Sequence, residues 1–554
     1  MLPPACAPPA TGATLGLMQT RARHPPLPRS TGPILVAVAA ALSLSGPKPA
    51  PAAPPEATSS PPKAAPAAAP KAAPAAAPAS APAAAPKAAP ASAPAPVPAA
   101  APAPALAAAP ASAPTAPQSA ASQAPKLDIP FTKYTLKNGL TVILHEDHAL
   151  PMVALNLMVK VGSRFEEPGR TGFAHLFEHL MFMGTRRVPT KQFDAWMEAE
   201  GGWNNAWTSE DRTDYHEVAP AHALPLLLWL EADRFSSLAD SMDLPKLNAQ
   251  RDVVRNERRQ TSENEPYGKV DLLMPSLMYP EGHPYHHPVI GSHEDLQAAT
   301  VDDVTTFFRR WYVPNNVSLV VAGDFDAQKT RDLIERFFGG IPERPVPAAT
   351  TPAPVKLSGV VRKTIEDNVN LPKVIMAWHS PPQYAPGDAD LDLLATALEQ
   401  GKASRLYKAL VYDKQLAQEV SAVQHSGDLG STFTVEAIAR PGVPLEKVEA
   451  AIDAELAKVR DAKLSREELD RAKNQYETAF VTALESVAGR ASMLNRYETS
   501  KGQPGFVEQD LKRYRDATAE SLQAYAKSTL DPDARVILRV VPKGSEEAKK
   551  AVTK

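Results

Sequence analysis

The sequence is poor in cysteine. Its single thiol, Cys6, sits near the amino terminus of a 554-residue chain. The fold therefore uses no disulfide, and no cysteine is placed to do chemistry. Basic patches are lacking too: with a formal net charge of −3, nucleic-acid binding has no electrostatic footing. No apolar run reaches the roughly 20 residues of a membrane-spanning helix. The nearest is ILVAVAAALSLSG after Pro33, preceded by Arg21, Arg23 and Arg29. A charged region before a short apolar core is the pattern of a secretory signal. Residues 1–46 are accordingly expected to be a targeting segment, with Met18 an alternative start and Ala50–Ala52 a candidate cleavage region. The chain is expected to be exported to the periplasm or cell envelope, and an uncleaved signal would tether it to the membrane. Cys6 does not follow the apolar run directly, so nothing indicates a lipid-modified cysteine.

Residues 47–126 lack aromatic side chains and are almost entirely Ala and Pro. Such a run cannot bury a core, and dense proline favours an extended, semi-stiff spacer. This stretch is predicted to be a disordered linker. Folded sequence starts near Leu127. Residues 131–147 alternate apolar and polar side chains around Asn138-Gly139, which predicts a β-hairpin. A strand is expected from Met152 and another from Asn316. Between them, helical patterns run over 172–183, 191–200, 221–237 and 246–263.

The stretch 299–322 lies against 517–540 without a gap, pairing Ala299 with Ala517, Thr300 with Thr518, Phe307 with Tyr525 and Pro314 with Pro532. The match implies two related halves. A second Pro/Ala-rich stretch, 345–356, separates them. The expected class is α+β, with two homologous domains of helices on mainly antiparallel sheets: 127–344 catalytic, 357–545 its homologue, and 546–554 a tail.

The segment His175-LFEHLMFMGT carries the chemistry. On a helix, His175 and His179 project from one face, where two imidazoles can share a zinc ion. Glu178 lies beside them, able to reach a water on the metal without being a ligand. The order His-x-x-Glu-His inverts the commoner His-Glu-x-x-His motif. The flanks Phe173, Ala174, Leu176, Phe177, Leu180, Met181 and Phe182 are apolar, so burying three polar groups among them is costly unless a metal or hydrogen bonds satisfy them. A catalytic zinc takes three protein ligands. Glu257, on the helical pattern 246–263, is a candidate third, although by composition alone a glutamate on a charged helix reads first as solvated surface.

These segments, together with Gly201-GWNNAWTSEDRTDY, Val254-RNE and Gly282-HPYHHPVIG, resemble the insulinase/pitrilysin/mitochondrial processing peptidase family of zinc endopeptidases, over about residues 128–545. The resemblance implies that His175, His179 and Glu257 hold Zn²⁺ and that Glu178 is the general base and acid. It implies that Trp203-NNAWT is an edge strand pairing with substrate backbone, with Asn205 and Ala206 the contact positions. It also implies two similar α+β domains packed with others around a chamber. His283, His286 and His287 form a cluster, but Pro284 and Pro288 predict a loop there rather than a second metal site.

The chain departs from the family pattern in two places. Gln250 stands where relatives often carry an acid, two helical turns before Glu257. Val411 and Gln418 stand where complete enzymes have an Arg and a Tyr that reach the substrate. Arg490 and Tyr497 have the same spacing but lie in a different segment. These departures predict a partner: a homologous subunit lacking the zinc motif and supplying Arg/Tyr, with a homodimer the simpler arrangement. The leading expectation is an exported zinc endopeptidase acting on peptides or unfolded segments. The alternatives are a non-catalytic assembly subunit and an envelope-binding module hung on the Ala/Pro spacer.

Overall fold

The computed structural model describes residues 127–546 and residue 548. The expected signal segment and Ala/Pro linker, and most of the tail, lie outside the described residues.

The hairpin forms as its sequence predicts. β1 (Thr132–Thr135) pairs antiparallel with β2 (Thr141–Glu146) across Gly139. That glycine has φ +85°, and a Cβ there would meet Asn315 Cβ at 2.6 Å. β3 (Met152–Val159), β4 (Trp203–Thr208), β5 (Thr213–Pro220) and β6 (Val317–Gly323) complete a six-stranded sheet in the order β1-β2-β6-β3-β5-β4. The helices of this half are α1 (Phe173–Leu180), α2 (Gln192–Ala199), α3 (Leu224–Ser237), α4 (Leu244–Arg258), α5 (Lys269–Met278), α6 (His293–Ala298), α7 (Val301–Trp311) and α8 (Ala327–Phe338).

Residues 345–356 have no regular structure. Beyond them come β7 (Val361–Asp367), β8 (Lys373–Ser380), α9 (Asp388–Glu399), β9 (Ala417–His425) and β10 (Ser431–Ala439). Then follow α10 (Leu445–Asp461), α11 (Arg466–Ala483), α12 (Val487–Lys501), α13 (Val507–Asp516), α14 (Ala519–Thr529) and β11 (Val536–Pro542). The second sheet runs β7-β11-β8-β10-β9. Both sheets contain one parallel pair, β2 with β6 and β7 with β11, among antiparallel neighbours. Without β1 the two strand orders coincide. The repeat read from sequence is structural as well: α7 and α14 hold equivalent places in the two halves, each starting from a threonine capping box, Thr300 with Asp303 and Thr518 with Ser521.

Both faces of each sheet are covered. On the first, Val142, Leu155, Leu157, Leu319 and Val321 pack into the core formed with its own helices, while Ile143, Ala154, Val320 and Ala322 face the other way. That second face is covered by α12, through Ala491, Leu494 and Tyr497. Burial on both sides explains why these strands read as nearly continuous apolar runs. Conversely, α5 lays Val270, Met274 and Leu277 on Ile375, Leu538 and Val540 of the second sheet. Each half thus lends a helix to the sheet of the other. Asn495 of α12 sets the register: its Nδ2 donates to Asn156 O at 2.9 Å and Ser318 O at 3.1 Å, beneath the helix.

Candidate metal centre

α1 starts without a side-chain cap of its own. Its first turn follows Gly172, whose φ of +86° suits glycine. The exposed amides are taken instead by Glu166, whose carboxylate accepts from Gly172 N at 2.9 Å and Ala174 N at 2.7 Å. The helix buries Phe173, Leu176, Phe177 and Leu180 together with His175 and Glu178, so it is sunk into the core rather than laid upon it. α4 starts on an Asp243 cap and packs Leu247 and Val254 inward. It ends just beyond Glu257 in a π-helical turn, Arg259–Glu263, so the α-helix is shorter than its sequence pattern predicts. Arg258 holds that turn, donating to Glu263 at 2.9 Å and to the carbonyl of Gly291. Inserted π-turns re-aim side chains and recur at functional sites.

The two helices bring the predicted residues together. Glu257 Oε2 lies 3.2 Å from His179 Nε2 and 3.8 Å from His175 Nε2. One donor atom from each of the three falls within 4.8 Å of the others, and among the described residues no other His/Cys/Asp/Glu group meets in this way. The two rings stand edge to face, 4.8 Å between centroids. Burial, and then the neighbouring His179, push the His175 imidazole down to about pKa 4, against the pull of Glu257. His175 is therefore neutral, its lone pair available. Burial also opposes charge on His179, yet the Glu257 hydrogen bond and the nearby carboxylates raise its pKa overall. Burial likewise opposes charge on Glu257, but the two imidazoles lower its pKa overall and keep it ionised. Two nitrogens and one carboxylate, aimed at one point from apolar walls, fit Zn²⁺ with a position left for water.

Glu178 is buried, and burial pushes its carboxyl up to about pKa 7, against the hydrogen bond from Thr208. Thr208 Oγ1 donates to Glu178 Oε2 at 2.5 Å. A cation among the three donors would draw that pKa back down. Thr208 closes β4, an edge strand paired only with β5. Asn205 and Ala206 lie on this strand, and Ala206 N donates to Asn205 Oδ1 at 2.9 Å. Sequence reasoning missed Thr208 and Glu166. Thr208 is remote from Glu178 along the chain, and only the strand's path past α1 joins them.

Gln250 lies on α4 beside His179, its Nε2 donating to Met183 Sδ at 2.7 Å. The rings of His283, His286 and His287 are used separately: His283 Nδ1 accepts from Tyr285 N, His286 Nδ1 bonds Tyr279 O, and His287 Nδ1 lies 3.6 Å from Glu166. Val411 sits half-buried against the core of the second half, and Gln418 is exposed on β9. Arg490 pairs with Asp147, and Tyr497 donates to Asp510 at 2.8 Å, so both are engaged within the fold.

Among the described residues the second half has no counterpart of the donor set. α9, like α1, follows a left-handed glycine, Gly387. Counting from that cap, the positions of His175, Glu178 and His179 are held by Asp390, Leu393 and Leu394, and counting α11 from Ser465 puts Ala479 opposite Glu257.

A duplicated α+β fold with one inverted His-x-x-Glu-His site defines a class of zinc-peptidase-like proteins. Residues 141–281 match the family described as insulinase (peptidase family M16), and 298–476 match the peptidase M16 inactive domain. The zinc protease PqqE of Helicobacter pylori is 31% identical over 66% of this chain and 82% of its own length. An uncharacterized zinc protease of Streptomyces coelicolor is 28% identical over 72% of this chain and 86% of its own. A crystal structure of a Helicobacter pylori protease superposes with a TM-score of 0.71 at 27% identity, covering 75% of this chain and all of that one. The first half of the periplasmic protease PqqL of Escherichia coli shares the fold, with a TM-score of 0.62 at 20% identity over 76% of this chain and 94% of that one. The chain belongs to the insulinase (M16) peptidase family.

Proposed function

We propose that the chain is an exported zinc-dependent endopeptidase that hydrolyses peptides or unfolded segments. One observation carries the reading: His175, His179 and Glu257 converge, with Glu178 beside them and outside the donor set. Relatives named as zinc proteases support it. The signal-like start of the sequence, and a fold relative described as periplasmic, support export.

His175, His179 and Glu257 would hold the ion, which when bound supplies Lewis acidity, acidifying water and polarising the scissile carbonyl. Glu178 takes the proton of the attacking water and hands it to the leaving amine. Thr208 donates to Oε2 of Glu178, which leaves Oε1 to exchange that proton. The edge of β4, at Asn205 and Ala206, pairs with an extended substrate backbone. Main-chain pairing is tolerant of sequence, which suits a peptidase of broad preference.

Val411 and Gln418 offer no cationic or phenolic group to a substrate. A homologous subunit without the zinc motif, supplying Arg and Tyr, would complete the site. The test is zinc content and cleavage of a quenched peptide by wild type and Glu178→Gln, each with and without the candidate subunit. Zinc in both proteins and turnover only in wild type is expected, with turnover rising when the subunit is added. A zinc-free wild-type protein would sink the endopeptidase reading in favour of a non-catalytic assembly subunit. Unchanged activity with the subunit would favour a homodimer.

A further inference from the structure

The turn that follows Thr208, residues 209–212, is gripped from both halves of the molecule. From the first half, Ser163 N donates to Ser209 O at 3.1 Å and Arg164 N to Glu210 O at 3.0 Å. The approach is so close that a Cβ on Gly162 would lie 2.3 Å from Ser209 O. From the second half comes the turn between β9 and β10. Asp428 N donates to Asp211 Oδ2 at 3.0 Å, and Arg212 Nη2 meets Asp428 Oδ1 at 2.9 Å. Arg212 Nη1 also donates to Ser500 Oγ at 2.7 Å, at the end of α12. Asp211 further accepts from Tyr285 OH at 2.6 Å and pairs with Arg164 at 2.7 Å. Asp211 and Arg212 are buried, so these charges answer one another rather than solvent.

Such a network is more than is needed to close a short β-turn. Its arms meet just past the hydroxyl that holds Glu178. We propose that Asp428, in the half without a metal site, is a positioning residue for the general base: by fixing Asp211 and Arg212 it fixes Thr208, and Thr208 fixes the Glu178 carboxylate. The inference rests on the peptidase reading for its kinetic consequence, but the mechanical link stands by itself. A reactive group displaced by about 1 Å loses up to roughly a hundredfold in rate. Loss of one arm of the grip shifts Glu178 by less, and about tenfold is expected.

The test uses the full chain carrying Asp428→Asn, Thr208→Val, or both. Asp428→Asn keeps the backbone bond to Asp211 and removes the charge that faces Arg212 at 2.9 Å and Arg164 at 3.5 Å. Each single variant should keep full zinc content and an unchanged KM while kcat falls about tenfold, and the double variant should fall no further than the lower single one, because coupled sites are not additive. Hydrogen exchange of amides 204–213 should quicken in Asp428→Asn, with or without zinc. A drop in thermal stability with kcat unchanged would overturn the proposal, as would kcat losses that multiply in the double variant. If wild type proves to have no peptidase activity, the functional reading fails separately, and hydrogen exchange decides the link: unchanged exchange in the 204–213 segment refutes it.

Discussion

The two carboxyls to which the proposed mechanism gives different tasks, Glu178 and Glu257, are told apart by their surroundings. Glu257 faces two imidazoles and stays ionised, whereas burial pushes Glu178 up to about pKa 7 against the Thr208 hydrogen bond and the nearby His179. Glu178→Gln should therefore leave zinc content unchanged by metal analysis and cut peptide turnover by about 10²–10⁴-fold. Glu257→Gln should lose zinc instead. Proton competition follows from the same values. His175 stays neutral down to about pH 4 and Glu257 stays ionised below the usual carboxylate range, so His179, with its raised pKa, is the ligand that must shed a proton. Below that pKa the protonated ring cannot ligate, and affinity falls as pH falls. In the Glu178→Gln protein, where the adjacent carboxyl no longer titrates, zinc affinity measured by chelator competition should weaken about tenfold per pH unit on the acid side, one proton per zinc. A hundredfold slope would mean that both imidazoles are protonated. The histidine pair and Glu178 were legible because one helix turn brings them together in sequence. Glu257 needed a resemblance, since helix periodicity gives no sign of which charged residue on α4 faces inward. Thr208 was invisible, because only the tertiary path of β4 brings it to the site.

At the scale of elements, the site depends on how α1 is started and α4 is ended. Gly172 has φ +86°, and a Cβ there would meet Ile290 O at 2.8 Å and Gly291 Cα at 2.9 Å. Gly172→Ala should destabilise the protein by about 1–3 kcal/mol, read by urea unfolding, and weaken zinc binding because α1 carries both imidazoles. Alternation placed the β1–β2 hairpin, the apolar runs from Met152 and Asn316 placed β3 and β6, and the helical patterns placed α1 to α3 within a turn at their ends, whereas α4 stops at Arg258, short of the 263 its pattern predicts. What the pattern could not give was the π-turn after Glu257. Arg258 fastens it, locally to Glu263 and across the fold to the carbonyl of Gly291, and the second of these bonds leaves no trace in hydrophobic spacing.

For the whole molecule, the match of 299–322 with 517–540 made the two related halves readable, but not their exchange of helices. The outward face carries apolar Ile143, Ala154, Val320 and Ala322 beside polar Asn156 and Ser318, and nothing local says which helix lies on it. Residues 127–344 expressed alone should therefore be soluble only poorly and bind a hydrophobic dye, whereas residues 127–548 should unfold in one cooperative transition. A monomeric, dye-silent first half would show that α12 is dispensable.

The exchange of α5 and α12 also fixes an order of events on the ribosome. Synthesis delivers α1 and α4 early, yet the strand face awaiting α12 stays bare until residues 487–501 emerge, long after β6 is complete at Gly323. Until then the nascent chain presents a greasy surface, Ile143, Ala154, Val320 and Ala322, that a holding chaperone would have to shield, and a message truncated before that point would leave it bare.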